Sequence, residues 1–269
     1  MARMMKKVGS FGQVAAGATA IAELPVGLTY HSLFIRYKRN GADATKAQIA
    51  AEIEEIRLVI DADEKVKLSG AELHVVNDYY GYGFEDGVIQ IVFSRPNMRQ
   101  QEGEDALAWG TADVQVFNVE IDIAAGVTNP SLQIHALQGP AQKMGVHCTI
   151  RRFDGYDAQS AGPYEISNIP RGDYALLGLH MTTANTKTVE IERDGKIISQ
   201  VDQQVIKAHY GHTGRTIQAG MTHVDFSPTN RLSDRMSLKA QDFRLRLDMS
   251  APANFRIIAE RLEGHVPGQ

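Results

Sequence analysis

Six short blocks of this sequence occur twice in the same order, about 120 to 145 residues apart. Leu24–Gly27 returns as Ile169–Gly172, and Tyr30 behind the first block returns as Tyr174. The other blocks pair as 60–66 with 191–197, 69–81 with 199–211, 87–96 with 220–228, 117–122 with 243–248, and 132–136 with 255–259. Any two β-rich halves share alternating apolar residues and turn residues, but such alternation does not also repeat a helix at the same place. The repetition therefore predicts two tandem copies of one module.

The repeated helix is defined by signals at both of its ends. The block at 69–81 begins with a capping box and ends at Gly81, and its copy at 199–211 ends at Gly211. We expect the helix to cover one end of the module. The side chains predicted to point into the module are Leu73, Val76 and Tyr80 in the first copy, and Val205, Ile206 and Tyr210 in the second.

Strand-like segments flank each helix, and we count eight of them in each half. In 117–123 the apolar residues alternate with Asn118, Glu120 and Asp122, which predicts one buried and one solvated face. Eight antiparallel strands of this kind bury their apolar faces in two packed sheets, and the usual solution is the jelly roll. The predicted fold is all-β, with two tandem eight-stranded jelly rolls (a double jelly roll), each carrying one short helix after the fourth strand. The predicted boundaries are an N-terminal arm over 1–17, jelly roll 1 over 18–140, a connection over 141–162, and jelly roll 2 over 163–269.

Composition excludes several classes of function. The chain has 269 residues, a formal net charge of −4, and one cysteine, Cys148. The charge argues against sequence-specific nucleic-acid binding, and a single cysteine allows no internal disulfide, which favours folding in the cytoplasm. Cys148 lies in an apolar run, where a thiol behaves as a small hydrophobic side chain rather than as a nucleophile. No segment has the length of a membrane span.

The N-terminal arm combines basic and apolar residues. Arg3, Lys6 and Lys7 precede the first acidic residue, Glu23, and are interspersed with methionines. One interpretation is a frayed terminus. The functional interpretation is a segment that docks on a partner subunit or on an anionic lipid surface.

Catalytic and metal-binding patterns are absent from the sequence. It has no His-x-His pair, no Gly-x-Ser-x-Gly elbow and no phosphate-binding glycine loop. His209 and His212 are the nearest approach to a metal pair, but we expect Gly211 to end the helix between them. We interpret Asp61, Asp63 and Glu64 as a solvated turn, and the aromatic cluster at 79–84 as packing at the end of the helix. We therefore predict that the chain is not an enzyme and requires no cofactor.

Several motifs resemble those of the major capsid protein of corticoviruses, the tailless phages with an internal membrane. The motifs are Val14–Gly17, Leu24–Tyr30, Ile35–Tyr37, Arg95–Met98, Ala106–Thr111 and Asp242–Asp248. The resemblance extends from about Val14 to Gly264, and it is weakest through the segments 38–52, 70–87 and 154–162.

The resemblance implies a structural protein of the virion. Its homotrimers would form pseudo-hexagonal capsomers of an icosahedral shell around a membrane, in contact with neighbouring capsomers and with vertex and membrane-associated virion proteins. Arg3, Lys6 and Lys7 would then face the interior or the lipid. The resemblance also implies structural calcium between capsomers, although no calcium ligand of that family can be matched to a residue here. The alternative is a two-module β-sandwich hydrolase or carbohydrate-binding protein, which would need a cleft with converging acidic or aromatic side chains.

Overall fold

A computed structural model describes residues 3–95 and 106–265 of the chain. The chain divides into two compact units. The first unit comprises 1–77, 82–151 and 264–269, and the second comprises 78–81 and 152–263. The polar sequence of 97–105 predicts a surface loop, and this segment lies outside the described residues, as does the end of the motif Arg95–Met98. None of the described helices has the length and apolarity needed to cross a bilayer.

The first unit consists of strands with two helices inserted between them. Its elements are β1 (Met4–Ser10), β2 (Thr19–Leu24), β3 (Thr29–Arg39), β4 (Ala42–Asp43), α1 (Lys46–Glu52), β5 (Ile53–Ile60), β6 (Asp63–Leu68), α2 (Gly70–Tyr79), β7 (Val88–Val92), β8 (Trp109–Gly110), β9 (Phe117–Ile123) and β10 (Pro130–Gly139). One sheet has the order β1-β10-β3, with β4, β7 and β8 also paired to β3. The other has the order β6-β5-β9-β2. Apart from the hairpin β5–β6, successive long strands thus lie in alternate sheets, as in a jelly roll.

The second unit repeats this arrangement. Strand β11 (His147–Ala158) begins in the first unit and continues in the second. The following elements are β12 (Gly162–Ile166), β13 (Ala175–Met181), β14 (Thr186–Arg193), β15 (Lys196–Asp202), α3 (Gln203–His212), β16 (Thr222–Asp225), β17 (Met236–Ser237), β18 (Phe243–Met249) and β19 (Ala253–Glu263). One sheet has the order β12-β18-β14-β15, and β13 lies between β16 and β19 in the other. The all-β prediction is confirmed.

Two predicted segments have a different structure. Residues 4–10 of the predicted arm form β1, which pairs antiparallel with β10. Residues 147–158 of the predicted connection form β11, of which the sequence predicts only the strand-like run Val146–Arg152. Each helix of the repeat therefore follows the fifth long strand rather than the fourth. The first unit also contains α1, which begins at a capping box formed by Thr45 and Gln48. It lies in the segment 38–52, whose polar sequence predicts a surface loop.

The hairpin of the repeat is present in both units, but its register differs by two residues from the sequence prediction. Asp61 and Ala62 have φ values of 49° and 68°, and Asp194 and Gly195 have φ values of 51° and 75°. Positive φ at both central residues is the geometry of a tight hairpin turn. The Asp61 carboxylate accepts hydrogen bonds from the backbone N–H groups of residues 115 and 116, just before β9. The Asp194 carboxylate accepts them from the N–H groups of residues 241 and 242, just before β18. Asp194 therefore corresponds to Asp61 and not to Asp63.

Other repeated contacts agree with the predicted pairing. The Tyr30 hydroxyl donates a hydrogen bond to the carbonyl of Pro25, and the Tyr174 hydroxyl donates one to the carbonyl of Pro170. The apolar residues of β9 and of β18 are buried in strict alternation with partly exposed polar residues. The predicted core face of these strands is therefore confirmed.

The helix caps differ in detail from the prediction. Helix α2 begins at the capping box of Ser69 and Glu72, as predicted. Helix α3 begins three residues later than expected, because Asp202 rather than Ser199 accepts the hydrogen bond from the N–H of Gln204. Gly211 lies inside α3. Of the six side chains predicted to point inwards, Val205 is instead exposed and Ile206 is only partly buried.

Candidate functional site

The three basic residues predicted in the arm lie on or beside one edge strand. Lys6 and Lys7 are on β1, opposite Ala136 and His135 of β10, and Arg3 directly precedes the strand. All three side chains are exposed, as are Met4 and Met5 between them. The position of Lys6 and Lys7 is thus set by a β-sheet and not by a free terminus. That they face the interior or a lipid surface stays a prediction.

The acidic turn and Cys148 are engaged in structural contacts. Burial opposes ionisation of Asp63, but its hydrogen bond with Lys65 (2.6 Å) and its contact with Arg151 (3.2 Å) outweigh this effect and lower its pKa. The Cys148 thiol is buried and accepts a hydrogen bond from Arg95 at 3.4 Å. Neither group is placed as a catalyst.

Both candidate metal-binding histidines lie on one helix. His209 and His212 occupy the last turn of α3. The described residues contain no group of three or more His, Cys, Asp or Glu side chains that could hold a metal ion.

Phe84 of the aromatic cluster packs edge-on against the His74 ring at 5.2 Å between centroids. The aromatic cluster thus contributes packing, as predicted for it.

The most unusual polar site is a buried histidine pair in the second unit. His180 on β13 faces His223 on β16, with 2.7 Å between their Nδ1 atoms. His180 Nε2 lies 3.2 Å from a carboxylate oxygen of Glu260 on β19, and the Tyr80 hydroxyl donates to the other oxygen at 3.0 Å. Burial, with the neighbouring His180, lowers the pKa of His223 to about 2. His223 is therefore neutral, and one imidazole of the pair donates to the other.

A buried ion pair adjoins this site. Arg215 Nε donates to Asp225 at 2.9 Å, and both side chains are almost wholly buried. The Tyr79 hydroxyl donates to the same carboxylate at 3.0 Å, and the Tyr79 ring stacks on His223 with 4.5 Å between centroids. Burial, followed by the charge of Asp225, raises the pKa of the Tyr79 phenol. Every charge in the group has a partner, as a low-dielectric interior requires.

Sequence reasoning did not find this site. Its members lie on three strands and at the end of a helix that are far apart in the sequence, and strand periodicity does not specify which strands pair. A signal was nevertheless present, because His180 interrupts the apolar sequence of β13 and Glu260 follows three apolar residues in β19, and both lie at buried positions. A polar residue inside a fully buried strand predicts a polar partner on the neighbouring strand.

Each unit also carries an arginine among three carboxylates on the partly exposed face of one sheet. In the first unit Arg57 on β5 bonds Glu120 on the opposite strand at 2.9 Å, together with Asp122 and Glu55. In the second unit Arg246 on β18 bonds Glu190 on the opposite strand at 2.7 Å, together with Glu192 and Glu165. The two clusters have equivalent positions in the aligned strands. Glu190 takes the place of Arg57, Arg246 takes the place of Glu120, and each pair lies directly opposite across its two strands. The charges of the two strands are therefore reversed between the units.

Comparisons with known families match both halves of the chain. The model of the viral coat protein P2 N-terminal domain matches residues 5–142, and the model of the viral coat protein P2 C-terminal domain matches residues 149–265. The chain is 24% identical over 271 residues to the major capsid protein P2 of Pseudoalteromonas phage PM2, covering 96% of each sequence.

Solved structures share the fold. The crystal structure of the major capsid protein P2 from bacteriophage PM2 superposes with a TM-score of 0.88 at 21% identity, covering 99% of each chain. The STIV MCP superposes with a TM-score of 0.70 at 8% identity, covering 97% of each chain. The PBCV-1 virus capsid gives a TM-score of 0.64 at 8% identity, covering 97% of this chain and 94% of the other. The sandwich architecture described above is thus that of capsid proteins.

Proposed function

The chain belongs to the viral coat protein P2 family, and from this premise we propose that three copies form one trimeric capsomer of an icosahedral shell. Its role is structural, and the alternative of a hydrolase or carbohydrate-binding protein is not retained. The observation that carries the proposal is that coat-protein domain models match the two halves of the chain in order. Two similar units in each of three chains would give six similar corners, and such pseudo-hexagons tile a surface.

We further propose that each unit is an eight-stranded jelly roll. The strands longer than two residues support this count. In the first unit they follow the orders β1-β10-β3-β7 and β2-β9-β5-β6. In the second, the orders are β11-β19-β13-β16 and β12-β18-β14-β15.

Light scattering of the purified protein at micromolar concentration tests the trimer. We expect a particle of three times the chain mass of 29.6 kDa. Negative-stain images should show three-cornered particles. A strict monomer under these conditions would contradict the proposal.

The basic residues of β1 support a membrane-facing role. Lys6 and Lys7 are exposed and adjacent, and a basic segment gains about 1 kcal/mol per residue near an anionic lipid surface. We expect Lys6→Glu with Lys7→Glu to abolish co-sedimentation of the protein with phosphatidylserine vesicles at low salt. The matched control is Lys187→Glu with Lys239→Glu, which changes the charge equally at exposed sites of the second unit. Equal loss in both variants would show a general charge effect and contradict the assignment to β1.

Calcium between capsomers also stays a proposal. The carboxylates that cluster around Arg57 are already bonded to its guanidinium. The described residues of one chain thus do not fit a calcium site, and any ligand set would combine two copies. Chelation of calcium from assembled shells should then release intact capsomers.

A further inference from the structure

One surface of the second unit exposes apolar side chains that no element of the described residues covers. Ile197 and Ile198 on β15 and Val205 on α3 are 57%, 52% and 60% exposed, and we call these three residues the β15–α3 surface. Ile198 and Val205 also line a cavity of about 450 Å³ whose other walls include Val189, Ile206 and Phe226. Exposed apolar side chains grouped around a cavity are typical of a protein interface.

Of the three equivalent positions of the first unit, Lys65 and Glu72 are buried and Glu64 is partly buried. The shared hairpin turn aligns β15 with β6, and both strands have a bulge at the same place, at Ile198 and at Lys65. The shared helix caps likewise align Val205 with Glu72. Lys65 and Glu72 are only 6% and 5% exposed. The two units therefore differ in whether this face is covered.

A strand covers the equivalent edge in the first unit. The outer edge of β6 pairs in parallel with β11 through Val66 and Ile150, and Arg151 on β11 contacts Asp63 on β6. Strand β15 ends its sheet, and no described strand pairs with its outer edge. An apolar edge strand of this kind is a template for another strand.

The first unit offers a strand of the matching kind. In the second unit β11 lies beside β19, and in the first unit β1 has the equivalent place beside β10. Among the described residues, β1 also ends its sheet. Met4 and Met5 on β1 are 50% and 61% exposed. Each chain therefore has two sheet edges that no described strand covers. One is strand β1, which is equivalent to β11, and the other is the outer edge of β15, which is equivalent to that of β6.

We infer that β1 of a second copy of this chain covers the β15–α3 surface, running parallel to β15 as β11 runs parallel to β6. The contact places the methionines of β1 against Ile197, Ile198 and Val205. It is head-to-tail, because each copy gives a strand to one neighbour and receives a strand from another. Such contacts form a ring when the rotation between copies closes, as it does in a trimer. The inference rests on the proposed function, since it names the surface through which the copies of the trimer join.

Charged substitutions on the surface test the contact. Ile198→Asp with Val205→Asp should reduce the mass measured by light scattering from three chains to one, with an unchanged circular dichroism spectrum, because both side chains are exposed within one chain. Val26→Asp with Val116→Asp is the matched control, since these valines are 40% and 39% exposed in the first unit. The control should stay trimeric. A trimeric surface variant would overturn this inference and leave the proposed trimer standing, whereas a monomeric unmodified protein would overturn both.

Cross-linking tests the strand pair independently of stability. A chain that carries Met5→Cys and Ser199→Cys should form disulfide-linked trimers on oxidation, because Ser199 has the place of Val66 in the aligned strands. Each single cysteine variant should yield no linked trimer, since Cys148 is buried. A linked product no larger than one chain, or no linked product, would overturn the contact.

Discussion

At the scale of the residue, the second unit places ionisable groups in its interior and gives each a partner. His180, His223 and Glu260 meet on three neighbouring strands, and Arg215 neutralises Asp225 beside them. The His223 imidazole stays neutral because protonation would place a charge where water does not reach it. The polar group is therefore a source of pH dependence within an otherwise apolar core.

The stability of the protein should fall as the pH drops below about 6.5. Above that pH, His223 is neutral in both the folded and the unfolded state, so its contribution to stability is complete. Below it, the unfolded chain takes up a proton that the folded chain, with a pKa of about 2 at this residue, does not. The unfolding free energy should therefore decrease by about 1.4 kcal/mol per pH unit from this residue. Urea unfolding between pH 5 and 7 measures it.

His223→Gln provides the control for this prediction. Glutamine can still hydrogen-bond to His180 but does not titrate, so the slope of stability against pH should become smaller in the variant. Identical slopes in the two proteins would assign the pH dependence to other groups.

At the scale of the element, the two copies of the hairpin turn adopt the same backbone conformation with different residues. Both turns need two successive residues with positive φ. The second unit has Gly195 at the second position, whereas the first unit has Ala62 with a φ of 68°. A non-glycine residue in this conformation is strained by roughly 1–2 kcal/mol, because its Cβ approaches the following carbonyl oxygen. The first turn is therefore the weaker copy.

Exchanging these residues should change stability in opposite directions. Ala62→Gly should raise the unfolding free energy by about 1 kcal/mol, and Gly195→Ala should lower it by about the same amount. No atom lies within 4 Å of a Cβ added at Gly195, so conformational strain alone is measured. Thermal unfolding of both variants tests this, and changes of the same sign would refute the argument.

Most elements could be predicted from the sequence because their apolar residues alternate. The first strand of the first unit could not be predicted, and the first strand of the second unit was predicted only in part, as the strand-like run Val146–Arg152. Strand β1 has four successive exposed residues, and β11 contains charged residues and Gly155. Neither has the alternation of a half-buried strand, since their places are set by pairing with a neighbour. The buried histidine site was missed for the same reason, because pairing between distant strands brings its members together.

At the scale of the whole molecule, the strands of each unit must pair with strands of the same unit, although the other unit offers similar ones. The arginine clusters distinguish the copies. If β9 paired with β14, Glu120 would face Glu190, and if β18 paired with β5, Arg246 would face Arg57. Like charges directly opposite each other in a sheet are destabilising, whereas correct pairs gain about 0.2–1 kcal/mol each.

Reversing the first pair should remove this distinction. Arg57→Glu with Glu120→Arg keeps opposite charges across the native strands but also allows attraction across wrong ones. We expect a lower yield of native protein after dilution from denaturant than for Arg57→Gln with Glu120→Gln, which has neither preference. Equal yields for the two variants would refute a role in strand selection.

The reversed charges have a consequence for the cell in which such a protein is made. A coat protein is synthesised in many copies at once, so each emerging strand meets identical modules from its own chain and from others. Repulsion between mismatched strands discourages the entangled species that would otherwise seed aggregation. The difference in charge between the two copies of one strand pair would thus increase the yield of correctly folded subunits.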